Sequence, residues 1–309
     1  MYAKGDPRAA TVRGGGKSFD PIRPTEYFEF HKMDPTSTTS AGSRTWLVRG
    51  ENFVLSYSEQ TAGDALTRES QPHEYVVILP REDTAVEITS EHGEGTLEGP
   101  GVAIVPAGRS AVTPVGDSQV LRLFDRRTED LLPLCANADV RAEPDVRVTP
   151  LEPWPDPVGG PRLRLYPLGD VPKVEGRFGR MIRSSSFLVN LMYPSGERDA
   201  TRLSPHHHDD FEQLSITMQG TSLHHMRTPW GPDATQWRED EHHETEAPAA
   251  TIIPPPVIHT GQAVAAPYQN IDVFSPPRLD FSSREGWILN ADDYPMPSEE
   301  LAAVEAESA

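Results

Sequence analysis

Eight of the eleven histidines fall between His206 and His259. The run Pro205-His206-His207-His208-Asp209-Asp210-Phe211-Glu212-Gln213 sets His206 and His208 two positions apart. On an extended chain both leave the same side of the strand and His207 leaves the other. Two imidazoles so placed can share one metal ion through their ring nitrogens, and His259, three residues past Pro256, is the third candidate ligand. On the strand that follows, Gln213, Ser215 and Thr217 share one face and Leu214, Ile216 and Met218 the other. His242 and His243 stand among acidic residues and read as a solvated loop, while one of His224 and His225 is expected to face a pocket.

The elements that must hold these residues are short. With 31 prolines and 23 glycines, long helices are hard to place. Runs rich in Val, Ile, Leu and Thr are easy to place: TWLVRG, NFVLSYS, EYVVILP, AVEITS, VAIVPAG and QVLRLF, then MIRSSSFLVNLMY, EQLSITMQG, TSLHHM, ATIIPP and NIDVFS. This is the pattern of an all-β sandwich or barrel. The two series read as a diverged repeat: Pro106 lies 18 residues before Phe124, and Pro254 lies 20 before Phe274. Tyr75 then corresponds to Gln213, which puts Arg68, Ser70 and Ala111 opposite His206, His208 and His259. No metal ligand survives in the first copy. The expected organisation is an N-terminal arm (1–22), a metal-free barrel (23–132), a linker (133–165), a metal-binding barrel (166–290) with an inserted loop near 230–248, and a tail (291–309).

The histidine segment resembles the cupin superfamily. Its first motif, G-x5-H-x-H-x3,4-E-x6-G, is met by His206-x-His208-x4-Gln213-x6-Gly220, with Gln for Glu and without the leading Gly. Its second, G-x5-P-x-G-x2-H-x3-N, is met by Pro254-x-Pro256-x2-His259-x3-Ala263. The resemblance implies two cupin (jelly-roll) barrels in one chain. It also implies one divalent transition metal, Fe, Mn, Ni or Zn, on His206, His208, His259 and Gln213, with Glu212 as the alternative at the shorter spacer. A neutral amide ligand would leave the metal more electrophilic than a carboxylate. The segment Asn270-Ile-Asp272-Val-Phe-Ser-Pro-Pro-Arg278 resembles the pectin-degradation cupins, which open cyclic unsaturated uronates to linear keto acids. That similarity implies Asp272 as acid/base and Arg278 as carboxylate clamp. Bicupin uronate isomerases are similar in architecture.

The expected function is therefore lyase or isomerase chemistry on a small, anionic, carbonyl-containing or sugar-derived acid. Asp272 or His225 would move the proton, and Arg278, Arg180 or Arg183 would hold a carboxylate. A non-haem Fe(II) dioxygenase and a non-catalytic sugar- or organic-acid-binding protein are the alternatives. A net charge of −19 opposes nucleic-acid and anionic-membrane partners. The single cysteine, Cys135, allows no intrachain disulfide, and no secretory pattern is seen, so a cytoplasmic location is expected. Open sheet edges lead us to expect a homodimer.

Overall fold

The computed structural model describes residues 21–298, so residues 1–20 of the expected arm and 299–309 of the expected tail lie outside the described residues. β1 (Glu26–Glu29) comes first in the chain but belongs to a sheet of the second half. In the first half, β2 (Ser37–Thr38), β3 (Arg44–Arg49), β4 (Phe53–Gln60), β6 (Tyr75–Leu79), β9 (Gly101–Val105), β11 (Ser118–Asp125) and the later β12 (Arg164–Pro167) form one sheet. Its order is β12-β9-β6-β11-β4-β3-β2. A smaller sheet of β5 (Leu66–Gln71), β7 (Ala85–Ser90), β8 (Gly93–Glu98) and β10 (Gly108–Pro114), in the order β5-β10-β7-β8, closes the barrel.

The second half repeats this plan. β13 (Gly179–Arg183), β14 (Leu188–Met192), β15 (Gln213–Gln219), β18 (Ala249–Ile253) and β20 (Gln269–Phe274) join β1 in the order β1-β18-β15-β20-β14-β13. β16 (Thr221–Arg227), β17 (Glu241–Glu246) and β19 (Ile258–Ala263) form the smaller sheet, β17-β16-β19. The expected two-barrel, all-β architecture is what the chain adopts.

Alternation decides where each face goes. Leu214, Ile216, Met218, Ile271 and Val273 of the second large sheet meet Leu55, Val76, Ile78, Leu121 and Leu123 of the first in one buried core between the barrels. Each such side chain contributes roughly 1.5–3 kcal/mol by leaving water. The opposite faces line the barrel interiors. In the first barrel that interior is mainly apolar, with Val54, Val77, Leu79, Val105, Val120 and Phe124. In the second it carries Gln213, Ser215, Asn270 and Asp272.

Sheet membership departs from the sequence bounds at two places. β1 pairs with β18 across Glu26↔Ile252 to Glu29↔Ala249, and β12 pairs with β9 across Arg164↔Ile104 to Pro167↔Gly101. Each barrel thus takes an edge strand from the other side of the sequence. The expected loop over 230–248 is also corrected: residues 241–246 form β17, paired along its length with β16. Thr245, fully buried, and His243, stacked on Tyr27, give that strand an anchored face despite its acidity.

Candidate metal centre

His206, His208 and His259 come together at the mouth of the second barrel, with one ring nitrogen from each inside a cluster no more than 4.8 Å across. His206 and His259 are held by a pair of backbone bonds, His206 N to His259 O at 3.0 Å and His259 N to His206 O at 2.7 Å. This single bridge occupies the position that β5 fills in the first barrel. His259 and His208 are buried, His208 stacked on Phe211, and His206 is open to solvent. Burial pushes the His208 imidazole down to about 4 and that of His259 down to about 3.

Gln213 at the start of β15 completes the group. Its Oε1 lies 3.0 Å from His208 Nε2 and 3.2 Å from His259 Nε2. Its Nε2 donates to Asp272 Oδ1 at 3.1 Å, which fixes the amide oxygen towards the imidazoles. His259 Nδ1 lies 2.9 Å from Val257 O, and His206 Nδ1 lies 2.9 Å from Ser204 O. A carbonyl can only accept, so these Nδ1 atoms carry the protons and the Nε2 atoms present lone pairs. The His259 lone pair then faces the lone pair of Gln213 Oε1. Two acceptors at that separation call for a cation between them, and the low proton affinity of His259 disfavours a proton. The donor set therefore fits a divalent transition metal, and the carbonyls behind the rings are the usual outer support of such ligands.

Glu212 takes the opposite direction. It is buried between the barrels, where it pairs with Arg141 and accepts from Glu51 N at 2.7 Å. Burial raises its carboxyl and Arg141 opposes that rise. Period-two alternation makes Gln213 and Glu212 mutually exclusive, and the ring faces Gln213.

A cavity of about 750 Å³ opens beside the histidines. Asp272 lies on its wall, accepting from Gln213 and from Asn270 Nδ2 at 2.9 Å, and desolvation raises its carboxyl. Arg278 reaches the same cavity but its guanidinium is held bidentately by Asp280 at 2.9 and 2.7 Å and lies 4.0 Å from the Phe281 ring centroid. His225 is a correction. It points to the outer face of the small sheet, with Nδ1 2.7 Å from His242 Nδ1. Its neighbour His224 is the one that lines the cavity, between Thr245 and Thr251 hydroxyls at 3.1 Å each, and burial pushes it down to about 3. Arg180 and Arg183 are also elsewhere, donating to the carbonyls of Val171 and Tyr294.

Arg198 was not among the expected residues. It lines the cavity, donating to Gly261 O at 2.8 Å and to Ser204 Oγ at 2.9 Å, with no carboxylate paired to it among the described residues. Its only signal in the sequence is its nearness to His206; what brings it in is a backbone bond from Arg198 N to Ala263 O on β19.

No family model and no curated protein matches the chain. Solved structures do. Oxalate decarboxylase from Bacillus subtilis matches with a TM-score of 0.53 at 12% identity, over 93% of this chain and 86% of that one. Lactobacillus farciminis oxalate decarboxylase, in a formate complex, gives 0.51 at 13%, over 95% and 98%. Protein Ylba from E. coli gives 0.52 at 9%, over 87% and 97%. At such identities the likeness is one of fold, and the fold of this chain is two cupin barrels in tandem.

Proposed function

We propose that the second barrel is the active site of a metal-dependent lyase or isomerase acting on a small carbonyl-containing acid. The observation that carries this reading is the convergence of three imidazoles on the Gln213 amide oxygen, with the His259 Nε2 lone pair turned towards that oxygen, on the wall of a cavity that also presents Arg198 and Asp272. A divalent metal held by His206, His208, His259 and Gln213 would supply a Lewis acid for a carbonyl or hydroxyl oxygen. Arg198 receives the substrate carboxylate, for which a planar guanidinium offers two parallel N–H bonds. Arg278, already neutralised by Asp280, shapes the lip of the cavity. Asp272 moves the proton: burial raises its carboxyl above the ordinary aspartate range, and Gln213 and Asn270 hold it in place. Oxalate decarboxylases among the similar structures support lyase chemistry on this fold. The likeness of the 270–278 segment to pectin-degradation cupins makes unsaturated uronates and keto acids the first substrates to try.

The test is metal content of untagged protein beside His206→Ala and His259→Ala. One equivalent in the wild type, lost in both variants, supports the reading and licenses a substrate screen with and without oxygen. A wild type that takes up no metal on reconstitution overturns it. Iron-dependent oxygen uptake would replace lyase chemistry by a dioxygenase, and tight ligand binding without turnover would leave a binding protein.

A further inference from the structure

The repeat places a second set of polar residues where the first barrel has no metal ligands. Strand register makes the correspondence explicit. Tyr75 faces Val105 as Gln213 faces Ile253, and Arg122 faces Val77 as Asp272 faces Ser215. Ser110 faces Arg68 as His259 faces His206, so Ser110 rather than Ala111 is the counterpart of His259. The approach of Gln213 Oε1 to His259 Nε2 is also mirrored: Tyr75 Oη and Ser110 Oγ lie 3.0 Å apart. Where one barrel gathers ring nitrogens and a carboxylate, the other gathers two hydroxyls and two guanidinium groups.

Arg122 is the unusual member. It is 8% exposed in an apolar interior, its Nη2 reaches Ser56 Oγ only at 3.4 Å, and its Nε and Nη1 have no hydrogen-bond partner among the described residues. No carboxylate pairs with it among the described residues. Its guanidinium carbon lies 5.3 Å from the Phe124 ring centroid, and that ring stacks on Tyr75 at 4.9 Å. Arg68 approaches the same ring at 5.5 Å but is satisfied by Asp130 and Gln71. Burial pushes Arg122 down to about 10, which still leaves it charged at neutral pH. A buried, unpaired charge with free N–H groups is costly unless something compensates it.

We propose that the first barrel binds a small anion, of halide or monocarboxylate size, on Arg122, Tyr75 and Ser110, making it a charge-inverted copy of the metal centre. The anion compensates the guanidinium, accepts from its Nε and Nη1, and accepts a further hydrogen bond from the Tyr75 or Ser110 hydroxyl. A ligand bound only by the fold raises the unfolding temperature saturably.

The experiment follows thermal unfolding of the full chain against sodium bromide or sodium formate, with ionic strength held by sodium gluconate, whose anion is much larger than either. The wild type and His259→Ala should show the same saturable rise, which separates this site from the metal centre. Arg122→Met should show none. Should Arg122→Met fail to fold, Tyr75→Phe combined with Ser110→Ala should shift the midpoint about tenfold to higher anion. A response to bromide alone identifies a halide site and one to formate alone a carboxylate site. Crystals grown in bromide should carry an anomalous peak at Arg122 Nε. A rise that is non-saturable and equal in all variants, or bromide crystals with only water at Arg122, overturns the proposal.

Discussion

Asp272 is where a one-atom change is most informative. Asp272→Asn keeps a hydrogen-bond acceptor for Gln213 and so should leave metal content intact. It should lower kcat by about 10²–10⁴, the usual worth of a positioned acid or base; equal loss of metal and activity would make the residue a positioning group instead. Arg198→Met should raise KM for a carboxylate substrate about tenfold or more and leave KM for its methyl ester unchanged. The buried imidazoles set a pH dependence. In an unfolded chain a histidine takes up a proton near pH 6.5, whereas His208, His224 and His259 stay neutral in the fold down to about 4, 3 and 3. Between those limits the unfolded chain holds more protons, so the stability of the metal-free protein falls as pH drops from about 6.5 towards 4. His224→Gln, which touches no metal ligand set, should flatten that decline in unfolding temperature measured with chelator; an unchanged slope would show that His224 does not contribute. The meeting of His206, His208 and His259 with Gln213 was legible because a two-residue spacing on an extended chain keeps side chains on one side. His224 against His225 was not, since period two gives two phases and the sequence of β16 supplies no apolar pattern to choose between them.

At the scale of elements, the start of β15 is fixed from behind by charge. Arg141, fully buried, pairs with Glu26 and Glu212 and approaches Glu51 at 3.5 Å. Burial alone would pull its guanidinium down, and Glu212 and Glu26 outweigh that and raise it. Arg141→Met leaves buried carboxylates unpaired and should cost about 3–5 kcal/mol in urea unfolding; a cost under about 1 kcal/mol would mean the carboxylates are simply protonated there. The network joins β1, the segment after β11 and β15, and no local pattern announces it, because Arg141 lies 115, 90 and 71 residues from Glu26, Glu51 and Glu212. The central strands of both large sheets were readable as apolar runs. β5, β8 and β17 were not, because LTRESQ, GEGTLE and EHHETE each expose one face and carry few apolar residues on the other.

The whole molecule carries a net charge of −19, which opposes the approach of the anionic substrate proposed here. kcat/KM for such a substrate should therefore rise as salt increases from about 0.01 to 0.15 M, while the Debye length falls from about 30 to 8 Å. An uncharged ester should not respond, and a salt-independent acid would mean that Arg198 and the metal screen the global field at the mouth. The exchange of edge strands reaches beyond stability into synthesis. β1 leaves the ribosome early, but its partner β18 emerges only about 220 residues later, some 10–45 s at ordinary elongation rates. Until then the apolar face shared by the two large sheets has no cover on one side. The nascent first barrel, complete once β12 has emerged, keeps that face uncovered for much of a translation round rather than for the milliseconds of a local collapse.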